Sequence, residues 1–177
     1  GMIVHHQQAI LMSELAEERT NNQTILDLAD RIDISQEDEI DFMRNWLESR
    51  GENKNHSGHK HMKMAGMASS EELKELKESK STSFDKIFLK LMINHHDGAL
   101  EMVKTLKEFP GNSYDSSLDE FISELINDQG VEIERMNGIL VNLSEDPRSN
   151  LKPGLYDAGE SIQNLKLVMS LKKPVGF

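Results

Sequence analysis

One sequence pattern occurs twice in this chain and constrains its fold more than any other feature. Residues 2–12 read M-I-V-H-H-Q-Q-A-I-L-M, and residues 92–102 read M-I-N-H-H-D-G-A-L-E-M. The methionines, the histidine pair and the alanine keep the same spacing, and four of the seven histidines lie in these two copies. At about 100° per residue, the shared positions fall on one stripe of a helix. The pattern therefore predicts two helices that present imidazoles and thioethers along one face.

A second repeated pattern follows each copy of the first. The pattern Q-x-x-E-I-x-x-M-x-x-x-L begins at Gln36 and recurs at Gln129. Each half of the chain is therefore expected to hold a hairpin of two helices. One hairpin cannot bury its own apolar faces, so each is best completed by its copy. These repeats predict an all-α, ferritin-like four-helix bundle made of two repeated helical hairpins with approximate two-fold symmetry.

The repeats also predict the domain organisation. The length suits one domain, and the duplication indicates that both halves share one core. We expect helices at 2–20, from Leu28 to about 51, from 69 or 70 to about 79, from about 83 to Pro110, and at about 115–143. The single domain at 1–177 then comprises repeat 1 at about 2–51, a His/Met-rich loop at 52–68, repeat 2 at about 83–144 and a C-terminal strap at 145–177.

The first residues of the chain suggest a trimmed start. Gly1 precedes Met2, and two apolar helical turns before the second copy, from Phe84 to Leu91, have no counterpart before the first. We therefore expect the natural protein to extend further, with a targeting segment removed. No run approaches the roughly 18 apolar residues of a membrane span.

Charge and cysteine content exclude several classes of function. The chain has 20 Lys and Arg against 31 Asp and Glu, a net charge of −11. This charge opposes binding to nucleic acids and anionic membrane surfaces, and it favours attraction of cations. Because cysteine is absent, the chain has no disulfide, no thiolate zinc site and no cysteine nucleophile.

Polar residues occupy positions on the predicted core faces where a bundle expects leucine. Such groups need partners, because an unpaired buried carboxylate is costly. In one interpretation the layer is structural, with His5 and His95 hydrogen-bonded to Glu39 and Glu132 to fix the helix register. In the other, the imidazoles hold a metal ion and the carboxylates orient the imidazole rings.

The residue types indicate which metal such a site would prefer. Imidazole suits copper, zinc and iron, whereas thioether favours copper(I). Histidine with methionine therefore points to a copper ion, with zinc or iron as alternatives, although methionine at helical spacing is also common core filler. The candidate metal ligands are His5, His6, His95, His96, Met2, Met12, Met92 and Met102, with Glu39, Glu132, Gln36 and Gln129 as supporting residues.

The loop between the repeats gives a separate signal. Residues 56–67 hold three histidines and three methionines in a stretch without a helical apolar face. The stretch is either an accidental His/Met-rich linker or a flexible tract that captures a metal and hands it to a partner protein. We expect it to form a metal site separable from the bundle. Its candidate ligands are His56, His59, His61, Met62, Met64 and Met67.

Three motifs together carry a resemblance to a known family. They are the paired M-x-x-H-H-x-x-A-x-x-M, the Q-x-x-E-I-x-x-M helices, and M-A-G-M-A-S-x-E-E-L followed by F-D-x-x-F-L. Over roughly residues 2–143 the chain resembles the domain of unknown function 305 family. The resemblance implies a ferritin-like bundle, export to the periplasm or the extracellular space, and metal binding through the matched His and Met positions, as in its exported copper-binding members.

Three classes of function compete at this point. The first is a non-enzymatic metal-binding protein for sequestration, transfer or resistance. The second is a structural or interaction bundle with a polar His/Glu core. The third is a di-metal oxidase, but such enzymes use Glu-x-x-His on paired helices, and that motif is absent here. We expect the first class, a metal-binding protein that is not an enzyme.

Overall fold

The structure is a computed structural model that describes residues 1–52, 64–108 and 115–143. Every element within these ranges is a helix, which confirms the predicted all-α class. The predicted strap at 145–177 lies outside the described residues. The six helices are α1 (Met2–Ser13), α2 (Ala16–Arg19), α3 (Gln23–Glu48), α4 (Ser70–Glu78), α5 (Ser81–Glu108) and α6 (Ser116–Leu143).

The first predicted helix is interrupted by a turn. Glu14 and Leu15 separate α1 from α2, although both residues keep right-handed helical dihedrals, with φ of −55° and −71°. The Glu14 N–H still donates to the Ile10 carbonyl at 2.9 Å. The interruption is therefore a local change in the hydrogen-bond ladder, of the kind common near helix ends.

Local signals in the sequence explain where two helices begin. The Asn22 side chain accepts a hydrogen bond from the Thr24 N–H and so caps α3. At α4, the Ser69 hydroxyl accepts from the Glu72 N–H while the Glu72 carboxylate accepts from the Ser69 N–H. This reciprocal pair is the capping box that the sequence S-x-x-E predicts.

The long helices pack as two hairpins that form one bundle. Helix α1 packs on α3, α5 packs on α6, and the two hairpins meet where α1 contacts α5. Helices α3 and α6 also touch, since the rings of Phe42 and Phe121 stack with centroids 4.2 Å apart. No helix in the described residues combines the length and apolar composition that a bilayer-crossing helix needs.

Two apolar clusters form the interior of the bundle. The larger contains Met12 and Met92 with the stacked rings of Phe84 and Phe88, and the smaller is built on Val103, Ile122 and Leu125. Met2 packs against the smaller cluster. Along α1, the histidine pair lies between Met2 and Met12. The two apolar clusters therefore flank a polar layer.

The structure makes Phe88 a principal core residue. Its side chain is fully buried, so Phe88→Ala is expected to lower the free energy of unfolding by about 3–5 kcal/mol. Val141→Ala is the control, because Val141 is 72% exposed and its truncation should change stability by no more than about 0.5 kcal/mol. Urea titration of both variants measures the difference. Equal stabilities would mean that the first half of α5 does not pack as described.

Candidate metal centre

The first histidine of each pair lies where α1 crosses α5. The His5 and His95 rings face each other with centroids 3.8 Å apart and an interplanar angle of 35°. Their side chains are buried, with 0% and 1% exposure. The Nε2 atom of His95 lies 2.8 Å from the carbonyl oxygen of His5, and the Nε2 atom of His5 lies 2.9 Å from the carbonyl oxygen of Ala65. Both imidazoles are therefore oriented by backbone oxygens.

The second histidine of each pair faces the other helix of its own hairpin. His6 Nε2 lies 2.5 Å from a carboxylate oxygen of Glu39 on α3. His96 Nε2 makes a 2.6 Å hydrogen bond to a carboxylate oxygen of Glu132 on α6. The two copies share the same local geometry, since the paired ring centroids are 6.1 Å apart in each.

This pairing corrects the one expected from the sequence. The structural interpretation paired His5 and His95 with Glu39 and Glu132, but the carboxylates contact the second histidine of each pair instead. Neighbouring residues on a helix are turned by about 100°. One imidazole of each pair can therefore face the helix crossing while the next faces the hairpin partner.

Burial keeps the imidazoles at the helix crossing neutral. It lowers the pKa of His5 from 6.5 to about 4. Burial and the facing His5 ring lower the pKa of His95 to about 2. A neutral imidazole carries one proton, and a carbonyl oxygen beside Nε2 can only accept. The hydrogen-bond partners thus assign the proton to Nε2 and leave a lone pair on Nδ1.

The Nδ1 atoms are the chemically open positions of this layer. Within the described residues, the buried Nδ1 atom of each of the four histidines lacks a hydrogen-bond partner. Buried polar atoms in proteins are usually satisfied, so four such orphans in one layer point to a ligand. Metal-bound histidines commonly donate their other N–H to a carboxylate or a backbone carbonyl. Three of the four Nε2 atoms here are hydrogen-bonded to such an acceptor, and His6 Nε2 lies 2.5 Å from the Glu39 carboxylate without hydrogen-bond geometry.

The supporting glutamines link the two halves. Gln36 and Gln129 are buried, as expected from their place on the core faces. The amide nitrogen of each lies 3.4 Å from the same carboxylate oxygen of Glu39. This oxygen also contacts His6. Glu39 is therefore the residue on which the polar layer converges.

The methionines of the two motifs bracket the imidazoles. Met12 and Met92 belong to the larger apolar cluster and are fully buried. Met2 packs against the smaller cluster, and Met102 is partly buried. The end of the first motif and the start of the second therefore lie in the same apolar cluster. This burial fits core packing, and ligation of a metal by the methionines stays a prediction.

Part of the His/Met-rich loop packs on the bundle. His56, His59, His61 and Met62 lie outside the described residues. Residues 64–68, which include the partly buried Met64 and Met67, contact α1 through the His5 hydrogen bond to Ala65. The segment thus supplies a hydrogen-bond acceptor to a buried histidine, and the expected metal site at residues 56–67 stays a prediction.

Two residues of the site were missed by the sequence analysis. Gln8 and Gly98 occupy the same position in the two motif copies, three residues after the first histidine. Gln8 exchanges two hydrogen bonds with the backbone of Ala68, at 2.7 and 3.0 Å. A Cβ on Gly98 would lie 2.2 Å from the Ala65 oxygen. The sequence signal that could have identified them is the difference at this position. The first copy has a glutamine and the second a glycine, on a helix stripe whose other positions are shared.

The donor arrangement limits how a metal could be held. In the part of the chain that the structure describes, no three His, Asp or Glu side chains converge in a way that could hold a metal ion. These residues therefore do not present a preformed cluster of three such donors. Structural zinc sites, by contrast, usually have four protein ligands.

Comparison with known proteins identifies the family. The sequence profile of the domain of unknown function 305 (DUF305) matches residues 1–140. The chain belongs to the DUF305 family. No curated protein matches this DUF305 chain at a significant level.

Solved structures share the DUF305 fold. A candidate secreted DUF305 protein from Streptomyces coelicolor is 29% identical, with a TM-score of 0.71 over 80% of this chain and 88% of that one. A DUF305 fragment from Deinococcus radiodurans is 27% identical, with a TM-score of 0.69 over 80% and 91%. The copper(I)-bound form of CopM is 28% identical, with a TM-score of 0.65 over 80% and 91%. Its copper(II)-bound form is 27% identical, with a TM-score of 0.66 over 81% and 93%.

Acid is expected to destabilise this DUF305 bundle through His5 and His95, because burial lowers the pKa of both side chains. Unfolded histidines take up a proton near pH 6.5, whereas folded His5 and His95 do so only near pH 4 and 2. Their contribution to stability is thus fully present above about pH 6.5 and is lost as the pH falls towards the folded values. Proton NMR should show both rings untitrated between pH 7 and about pH 5. A midpoint near 6.5 for either ring would contradict their burial.

Proposed function

We propose that this protein binds copper ions through the buried imidazole layer, in a non-enzymatic role of sequestration, transfer or resistance. The observation that carries this proposal is the common orientation of four buried imidazoles. In His5, His6, His95 and His96, Nε2 faces an oxygen and Nδ1 has no partner among the described residues. Such nitrogen lone pairs donate to soft or borderline metal ions.

Several observations support copper over zinc or iron. Methionines bracket both histidine pairs, and thioethers are ligands for copper(I). The shortage of converging His and carboxylate donors in the described residues suits a metal that accepts few ligands. Two of the similar structures are copper-bound forms of CopM. Imidazole alone would also accept zinc or iron, so the choice of copper depends on the sulfur atoms.

The charge distribution and the loop fit handling of a cation outside the cytoplasm. The net charge of −11 attracts metal cations. We assign the loop residues His56, His59, His61 and Met62 to metal capture and to transfer of the metal to a partner protein. The proposed location is periplasmic or extracellular, which is supported by the likeness to a family member described as a candidate secreted protein.

A structural role for the polar layer is the second candidate. It is favoured by the Glu39 carboxylate, which contacts His6 and Gln36 of its own hairpin and Gln129 of the other. The contact with Gln129 connects the two hairpins without a metal. The unpartnered Nδ1 atoms distinguish the two functions, because a purely structural layer has no use for them. Metal titration therefore decides between the two.

Replacement of the facing histidines tests the copper site directly. His5→Asn with His95→Asn should abolish tight copper binding by the bundle, because it removes the two Nδ1 donors at the helix crossing. The matched control is His56→Ala with His59→Ala and His61→Ala, which should lower copper stoichiometry but retain the bundle site. Chelator competition and circular dichroism measure affinity and helicity. Unchanged affinity with intact helices in the first variant would refute the proposal.

The methionines test the preference for copper(I). Met92→Leu with Met102→Leu roughly conserves volume and should disturb packing little. We expect copper(I) affinity to fall about tenfold or more, with binding of copper(II) and zinc nearly unchanged. Met43→Leu with Met136→Leu is the control on α3 and α6, outside the histidine motifs. Equal copper(I) affinity in both variants would assign Met92 and Met102 to the core alone.

The carboxylates are predicted to support the imidazoles rather than ligate copper. Glu132→Gln should weaken copper binding by about 10–100-fold, as expected when the acceptor of a ligand's N–H is altered. Glu134→Gln is the control, because Glu134 is exposed on the same helix. Isothermal titration of both variants measures the effect. Complete loss of binding with intact helicity would instead indicate that Glu132 coordinates the metal.

A further inference from the structure

One non-helical segment contacts the buried imidazole layer in the described part of the chain. This docked segment, residues 64–68, supplies the Ala65 carbonyl oxygen that lies 2.9 Å from His5 Nε2. The other three histidines meet a carboxylate or the carbonyl of His5 itself. His5 is therefore the one histidine of the four whose contact comes from the docked segment.

Two anchors from equivalent positions of the repeat hold the docked segment. On α1, the buried Gln8 side chain accepts from the Ala68 N–H at 2.7 Å and donates to the Ala68 carbonyl at 3.0 Å. On α5, Asn94 adds a long hydrogen bond of 3.4 Å to the Gly66 carbonyl. These contacts hold the backbone at Gly66 and Ala68, directly after Ala65.

The second anchor is close backbone packing at Gly98. A Cβ at this position would lie 2.2 Å from the Ala65 oxygen and 2.6 Å from the Gly66 Cα, both of them backbone atoms. Gly66 has φ of +74°, a conformation that glycine adopts without steric cost. The absence of a side chain at Gly98 therefore sets how closely the segment approaches α5.

We propose that Gly98 and Gln8 are positioning residues for the copper site, acting through the docked segment on His5. By holding the Ala65 carbonyl on Nε2, they keep the proton on that atom and leave Nδ1 as the metal donor. This inference rests on the proposed copper function. An imidazole that binds a metal through one nitrogen is a stronger donor through the other, so docking and copper binding reinforce each other. By linkage, copper must then tighten the docked segment as much as the segment tightens copper.

The variant Gly98→Ala tests this inference, with Gly138→Ala as its matched control. Both substitutions place alanine in a helix, but a Cβ on Gly138 meets nothing within 4 Å. In Gly98→Ala the new methyl group should displace the docked segment. Long-range nitrogen–proton NMR should then show that His5 loses its preference for a proton on Nε2, while His95 keeps it. Copper(I) affinity should fall about 10–100-fold.

A second readout separates positioning from a general loss of structure. Copper(I) should slow amide hydrogen exchange in residues 65–68 of the wild type and of Gly138→Ala, but not of Gly98→Ala. Gln8→Leu removes the two Ala68 hydrogen bonds without adding a clash, and it should shift affinity and exchange in the same direction. It therefore serves as the test if Gly98→Ala does not fold.

The outcomes distinguish this inference from the proposed function. Absence of copper binding in the wild type would reject the copper function and the linkage with it. If the wild type binds copper and Gly98→Ala or Gln8→Leu matches it in affinity and in the His5 tautomer, only the positioning role is overturned. Loss of affinity together with loss of copper-dependent protection supports it.

Discussion

The bundle depends on how four imidazoles are buried together at its centre. Polar rings in a helical core must each find a partner, and here the partners come from different parts of the chain. Carboxylates of α3 and α6 face one ring of each pair, while backbone carbonyls face the rings at the helix crossing. The hairpin pairing, the crossing of α1 with α5 and the placement of residues 64–68 all serve this layer. Among the described residues, the layer's unpartnered buried atoms include the Nδ1 of all four imidazoles, along with the side-chain oxygens of Gln36 and Gln129.

Much of the architecture could be predicted because helices are periodic. The repeated motifs placed the long helices within a few residues, and the buried faces of Gln36, Gln129 and Glu132 were evident from their spacing. The histidine partners could not be predicted in the same way, since they depend on how two helices rotate against each other. A shift of one residue exchanges which imidazole faces which neighbour. The docking of residues 64–68 was also missed, because a segment without regular periodicity gives no indication of the surface on which it lies.

The fold and the proposed copper function rest on different kinds of observation. Fold and family follow from the helix pattern and the DUF305 match. The proposed copper function rests on individual atoms: the open Nδ1 positions of the four imidazoles, with His5 and His95 kept neutral by burial, and the methionines that bracket both histidine pairs in the sequence. The methionines Met12 and Met92 illustrate why residue type alone was insufficient, since both lie fully buried in an apolar cluster. A buried thioether can satisfy the packing of the core and still offer sulfur to a soft cation.

The docked segment also explains one departure from the internal repeat. Residues 64–68 occur once in the chain but pack against both α1 and α5. They therefore contact the two motif copies with different atoms. If both copies had glutamine at this position, or both had glycine, the segment would lose its present contact with one of the two helices. The divergence of Gln8 from Gly98 removes this conflict. A single segment that packs against both copies of the motif therefore requires different residues at this one position of the repeat.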